Sequence, residues 1–173
     1  MKSVVVWSLV AGFLSVAGPL AAQDSVPAGL LTEVCLPYAN RAQTFERSIR
    51  AARDLEFRRP VGDSAPLEEW ASDVTLISSD GTWRVHLEEG TVERDGRSAY
   101  EASCSLSSTR ASARELADLG RRAFRDRRYW TTPPDNAWRW DRLSAYPDEF
   151  TLAVEVSEQP GERPTMTVRG SYY

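Results

Sequence analysis

Residues 98–106 read SAYEASCSL, and every second residue is apolar or sulfur-bearing: Tyr100, Ala102, Cys104 and Leu106. A period of two is the mark of a strand with one face against a core. The pattern therefore puts Cys104 on the face that a covering layer must touch. The only other cysteine is Cys35. It lies in residues 27–56, where Leu31, Cys35, Tyr38, Ala42, Phe45, Ile49 and Ala52 recur at three- and four-residue spacing. That spacing draws one apolar stripe on a helix. A helix laid on the strand's apolar face brings Cys35 to Cys104, and in an exported chain such a pair reads as one disulfide. Closing so long a loop stabilises by about 4 kcal/mol in the chain-entropy model. There is no C-x-x-C and only one histidine, so neither a dithiol redox motif nor a Cys/His zinc site is expected.

The same period extends through the chain. Pro27 suits a helix's first turn. Pro37 is expected to kink or split the helix, with Cys35 just before the break. Residues 57–73 carry Pro60, Gly62 and Pro66 and read as a loop. Strands are predicted at 74–78, 82–89 and 98–106, with turns at Ser79-Asp80-Gly81 and Asp95-Gly96. In TWRVHLEE (82–89), Trp83, Val85 and Leu87 oppose Arg84, His86 and Glu88. A second helix is predicted over 110–128, with Ala113, Leu116, Ala117, Gly120, Ala123 and Phe124 as its stripe, Gly120 allowing close approach to a sheet. Pro133-Pro134 end it, and strands follow at 138–143, 149–157 and 164–173.

The order is helix, three strands, helix, three strands. Trp83-x-Val85-x-Leu87 matches Phe150-x-Leu152-x-Val154, and Gly96 matches Gly161. The expected fold is α+β: a duplicated αβββ unit, with an antiparallel sheet and helices packed on one face. The halves are residues 23–106 and 107–173, forming one compact domain or two small units.

Residues 1–22 read as a secretory signal peptide. Lys2 precedes an apolar run from Val4 to about Val16, then small residues, with cleavage expected after Ala22. The run is shorter than the roughly 20 residues of a membrane span. No later stretch reaches that length, so no transmembrane span is expected after cleavage. The expected location is the periplasm or the extracellular space. Lys2 is the only lysine, which fits codon usage in a GC-rich genome. The net charge of −4 gives no reason to expect a nucleic-acid partner.

Catalytic signals are sparse. The chain has no G-x-S-x-G, G-x-x-x-x-G-K or H-E-x-x-H motif and no calcium loop. His86, the single histidine, is the candidate proton-transfer group, but adjacent acidic pairs such as Glu88-Glu89 point to opposite faces of a strand. Residues 121–140, RRAFRDRRYWTTPPDNAWRW, are the other candidate. Arg121, Arg125 and Arg128 share one helical side, and Tyr129 and Trp130 follow. Such a set suits an anionic glycan or lipid headgroup. The leading reading is architectural instead: a solvated helix end, where cations complement the dipole, with Glu115 pairing Arg122, Asp118 pairing Arg114 or Arg121, and Trp138 and Trp140 packed together as core strand residues.

With its signal peptide, the C-L-P-Y of residues 35–38 and the A-S-C-S-L of 102–106 ahead of a second helix, the chain resembles a group of uncharacterised exported alphaproteobacterial proteins. The resemblance covers about Leu30 to Phe124. It implies export and a Cys35–Cys104 bond, and no activity. The leading expectation is a non-catalytic module without cofactor or metal. It would bind an envelope or extracellular protein through the polar sheet face (Arg84, His86, Glu101, Thr151, Glu155, Arg169) or the loop at 129–137. The alternatives are a glycan or lipid binder using 121–140 and a hydrolase or isomerase using His86 with a carboxylate.

Overall fold

The computed structural model describes residues 25–62, 72–94, 96–124, 139–141 and 149–173, with backbone only at 25 and 94. Within them, three helices lie with a six-stranded antiparallel sheet, so the chain is α+β. The helices are α1 (25–39), α2 (Phe45–Asp54) and α3 (Ala113–Phe124). The strands are β1 (Asp73–Ile77), β2 (Trp83–Arg94), β3 (Arg97–Ser108), β4 (Arg139–Asp141), β5 (Phe150–Ser157) and β6 (Thr165–Tyr172), in the order β1-β2-β3-β6-β5-β4.

Register turns the alternation of each strand into rows across the sheet. Val74, Leu87, Cys104, Val168, Val154 and Trp140 stand side by side on the six strands, and all six are buried. The next row, Leu76, Val85, Leu106, Met166 and Val156, is buried too. The apolar positions thus pave one face, and the helices cover it. The Cys35–Cys104 disulfide joins α1 to the centre of this face, with S–S 2.02 Å, 69 residues of separation and both cysteines fully buried.

The break expected at Pro37 does not occur there. Residues 30–35 form a π turn, in which the Leu36 N–H donates to the Leu31 carbonyl. Proline lacks an N–H, and its ring collides with the carbonyl one turn back in an α-helix. A wider turn directly before Pro37 gives the ring room, and the helix continues to Ala39. The chain breaks at 40–44 instead. Arg41 takes a left-handed φ of 56°, and the Asn40 side chain accepts from the Ala42 N–H at 3.0 Å. Thr44 then caps α2 by accepting from the Arg47 N–H. Ala42, expected in the stripe, is exposed. Residues 57–58 also depart from the expected loop. Phe57 is buried, and Arg58 exchanges two backbone hydrogen bonds with Ile77 at the β1 edge.

α3 opens with a capping box: Ser112 Oγ accepts from the Glu115 N–H, and Glu115 Oε2 accepts from the Ser112 N–H at 2.7 Å. Glu115 is therefore committed to its own helix end and makes no pair with Arg122. Where α3 crosses the sheet, Gly120 faces the Trp140 ring; a Cβ there would lie 2.9 Å from it. Among the described residues no helix is long and apolar enough to cross a membrane.

Candidate functional site

The positions opposite the core rows are mostly polar, with Ile77, Val92, Ala99 and Ala153 as apolar exceptions. Thr75, His86, Ser105, Thr167, Glu155 and Arg139 form one row across all six strands. Asp73, Glu88, Ser103, Arg169, Ala153 and Asp141 form the next. Short hydroxyl side chains and an ion pair, Glu101 with Arg169, occupy the two central strands. Ser105 Oγ and Thr167 Oγ1 are 3.0 Å apart, and Thr75 Oγ1 lies 3.0 Å from His86 Nδ1. Ser171 Oγ donates to Glu101 at 3.2 Å, and Arg169 Nε lies 3.0 Å from its other oxygen. That second contact is off the hydrogen-bonding line, so Arg169 is held there as a charge pair. The result is a hydrogen-bonded, mostly polar sheet face. At its far end the Arg97 guanidinium lies over the Tyr173 ring.

The sequence-predicted residues divide across the sheet. Arg84, His86, Glu101, Thr151, Glu155 and Arg169 all belong to the polar face. Arg121 lies on the helix side, where its guanidinium pairs with Asp118 at 2.5 Å, one of the two pairs expected for that carboxylate. It does not join Arg84 and His86. Trp140 is buried against Phe124, ring centroids 6.0 Å apart, as expected of a core tryptophan. Arg125, Arg128, Tyr129, Trp130, Trp138 and the loop at 129–137 lie outside the described residues. His86 has Glu88 Oε2 3.9 Å from its Nε2, on its own strand and on the polar face. Among the described residues no group of three His, Cys, Asp or Glu side chains is placed to hold a metal ion.

Two features escaped the sequence reading. On the helix side, beyond the end of α1, Tyr100, Tyr172 and Phe150 form a further row. Arg41 stacks over both tyrosine rings, 4.8 Å and 5.2 Å from their centroids. Tyr172 donates to the Ala39 carbonyl at 3.0 Å, and Tyr38 donates to Glu89 at 3.1 Å. Burial, reinforced by the hydrogen bond to Glu89 and its charge, pushes the Tyr100 hydroxyl up to about 12. Burial and then Glu89 raise Tyr38 further. The left-handed Arg41 is the one signal missing from the sequence, since no glycine marks that position.

The second feature is a cavity of about 390 Å³ at the opposite end of the helix side. It lies between the first turn of α1, the first turns of α3 and the β2–β3 end, with Trp83 in its wall. Asp80 at its rim accepts from Ser78 Oγ, Thr82 Oγ1 and the Thr82 N–H. These bonds pull its carboxyl down to about 2. No protein-family model, curated protein or solved structure matches the chain.

Proposed function

We propose that this is an exported, non-catalytic binding module of the periplasm or extracellular space, and that its polar sheet face docks an envelope or extracellular protein. One observation carries the reading: helices cover one face of a six-stranded sheet, while the other is predominantly polar. Six strands at about 4.8 Å spacing, over some 20 Å of length, give roughly 500 Å² before the rim is counted. That is just below the roughly 600–1,000 Å² per side of a standard protein–protein contact, in the range of weak or transient ones, and the rim adds to it. Export is supported by the 1–22 pattern and by a disulfide of a kind that persists in oxidising compartments. The resemblance to exported alphaproteobacterial proteins agrees with it.

The duplicated αβββ unit belongs to the same reading. Its support is the register. The pair Leu87–Cys104 in the first meander corresponds to Val154–Val168 in the second, and Val74 next to Leu87 corresponds to Trp140 next to Val154. The buried row is thus palindromic about the Cys104–Val168 pair, and it keeps the Leu87-to-Val154 match of the sequence.

The test is affinity capture from an envelope extract with oxidised protein, comparing wild type with Ser105→Arg and Thr167→Arg. These place a long side chain at the centre of the face without touching the core. A defined protein recovered by the wild type and lost from both variants, with unchanged melting temperature, is the expected result. A partner retained by both variants removes the face from consideration.

A further inference from the structure

We propose that the cavity beside Trp83 is a binding site for a small amphipathic carboxylate: an apolar body of aromatic or branched shape carrying a single acid group. It lies on the helix side, away from the docking face, and does not depend on that reading.

The cavity's size of about 390 Å³ falls within the range of small-ligand sites, roughly 300–1,000 Å³. Its apolar part comes from Pro27, Leu116, Leu119 and Trp83. Trp83 is the informative member. It shares the core parity of β2 with Val85 and Leu87, which are wholly buried, yet it is only partly covered. The core is left open at this point, with an indole ring in the wall. Such a ring offers a flat apolar surface to a ligand.

The polar lining then selects the charge. Three carboxylates line the cavity, and each is already engaged by its own chain. Asp80 is held by Ser78 and Thr82. Glu115 closes the capping box with Ser112, and Asp118 pairs with Arg121. Arg110 and Arg122 also line the cavity. Among the described residues neither guanidinium has a hydrogen-bond or ion-pair partner. The charged donors at the cavity without a hydrogen bond or close ion pair are these two guanidiniums, Arg110 also acting on Asp80 from a distance, and such donors suit a carboxylate. With Arg121 offsetting Asp118, two lining carboxylates stand against two guanidiniums. The two guanidiniums can pair locally with one carboxylate, while the three neighbouring carboxylates repel a phosphate dianion more strongly than a monoanion.

The probes are N-acetyl-phenylalanine, its uncharged amide, and a short peptide ending in phenylalanine with a free carboxylate, each titrated by calorimetry into oxidised protein. We expect the acid to bind at least tenfold tighter than the amide. The Arg110→Gln/Arg122→Gln double variant, altered only at exposed positions, is expected to lose that difference, while Ser105→Arg on the polar face keeps it. Equal binding of acid and amide, or no heat from the acid at millimolar concentration, overturns the proposal. Binding by the peptide as well as the small acid identifies the ligand as a chain terminus; binding by the small acid alone identifies it as a free metabolite.

Discussion

The two helices that lie on the sheet reach it by opposite means. α1 brings backbone to the sheet, and the strand supplies the glycine: a Cβ at Gly170 would stand 1.8 Å from the Ala39 carbonyl oxygen. α3 supplies the glycine itself, and the strand fills the space with the Trp140 ring. α1 is further tied by the Cys35–Cys104 bond and by Tyr172 to Ala39, whereas α3 has side-chain packing against Trp140 and Met166. Backbone cannot yield where a side chain can, so the two contacts differ in tolerance although both rest on a glycine.

The largest effect is expected from removing the covalent tie. Cys35→Ala with Cys104→Ala should lower stability by about 4 kcal/mol, read from the urea midpoint. A loss under about 1 kcal/mol would mean that α1, like α3, is held by packing alone. Gly170→Ala is next. The α1 end has to move off β6 and release the Tyr172 bond, for a loss of roughly 3 kcal/mol. Gly120→Ala meets a ring edge that can shift, and about 1–2 kcal/mol is expected. If thermal melts put the two glycine variants level, the distinction between backbone and side-chain contact is wrong.

The smallest effect concerns the tyrosines around α1's end. Tyr38→Phe leaves a Glu89 oxygen without its donor and should cost about 1 kcal/mol. Both Tyr38 and Tyr100 hold their protons more tightly when folded. Above pH 10 the unfolded chain loses those protons first, so the folded state binds more of them and stability falls as pH rises. The fall should begin near pH 10 and continue to about 12, and Tyr38→Phe should make it shallower. A wild-type stability flat over that interval would show that neither hydroxyl is shielded by the fold.

Much of this architecture was legible because alternation is a local code. The core parity of β2, β3, β5 and β6, and the meeting of Cys35 with Cys104, follow from which residues share a face. The break between α1 and α2 was hidden for two reasons. The apolar spacing resumes at Phe45 as though the helix were unbroken, and the left-handed residue is Arg41, not a glycine. Its signals were short: the Asn40 side chain turning back to Ala42, and Thr44 as a cap. The polar face was half legible. Arg84 and His86 were placed on it, but the hydroxyl row Thr75–Ser105–Thr167 exists only through register, which one strand does not encode. The Trp83 cavity depends on where three segments stop, and periodicity carries no such information.

The pairing of β3 with β6 sets the order in which the molecule can form. β1, β2 and β3 join by short turns, and so do β5 and β6. The seam between these two groups joins residues 62 positions apart, as Ser105 and Thr167 are. Closing such a loop loses chain entropy before any contact at the seam repays it, which slows folding in proteins of high contact order. Until β6 arrives, β3 is an unpaired edge whose apolar row, Cys104 included, has half its sheet missing. The edge most open to wrong partners is thus in the middle of the finished sheet, and a chain stalled before β6 offers it to other chains. Held by the Cys35 bond, that edge would at least keep α1 over its apolar side while it waits.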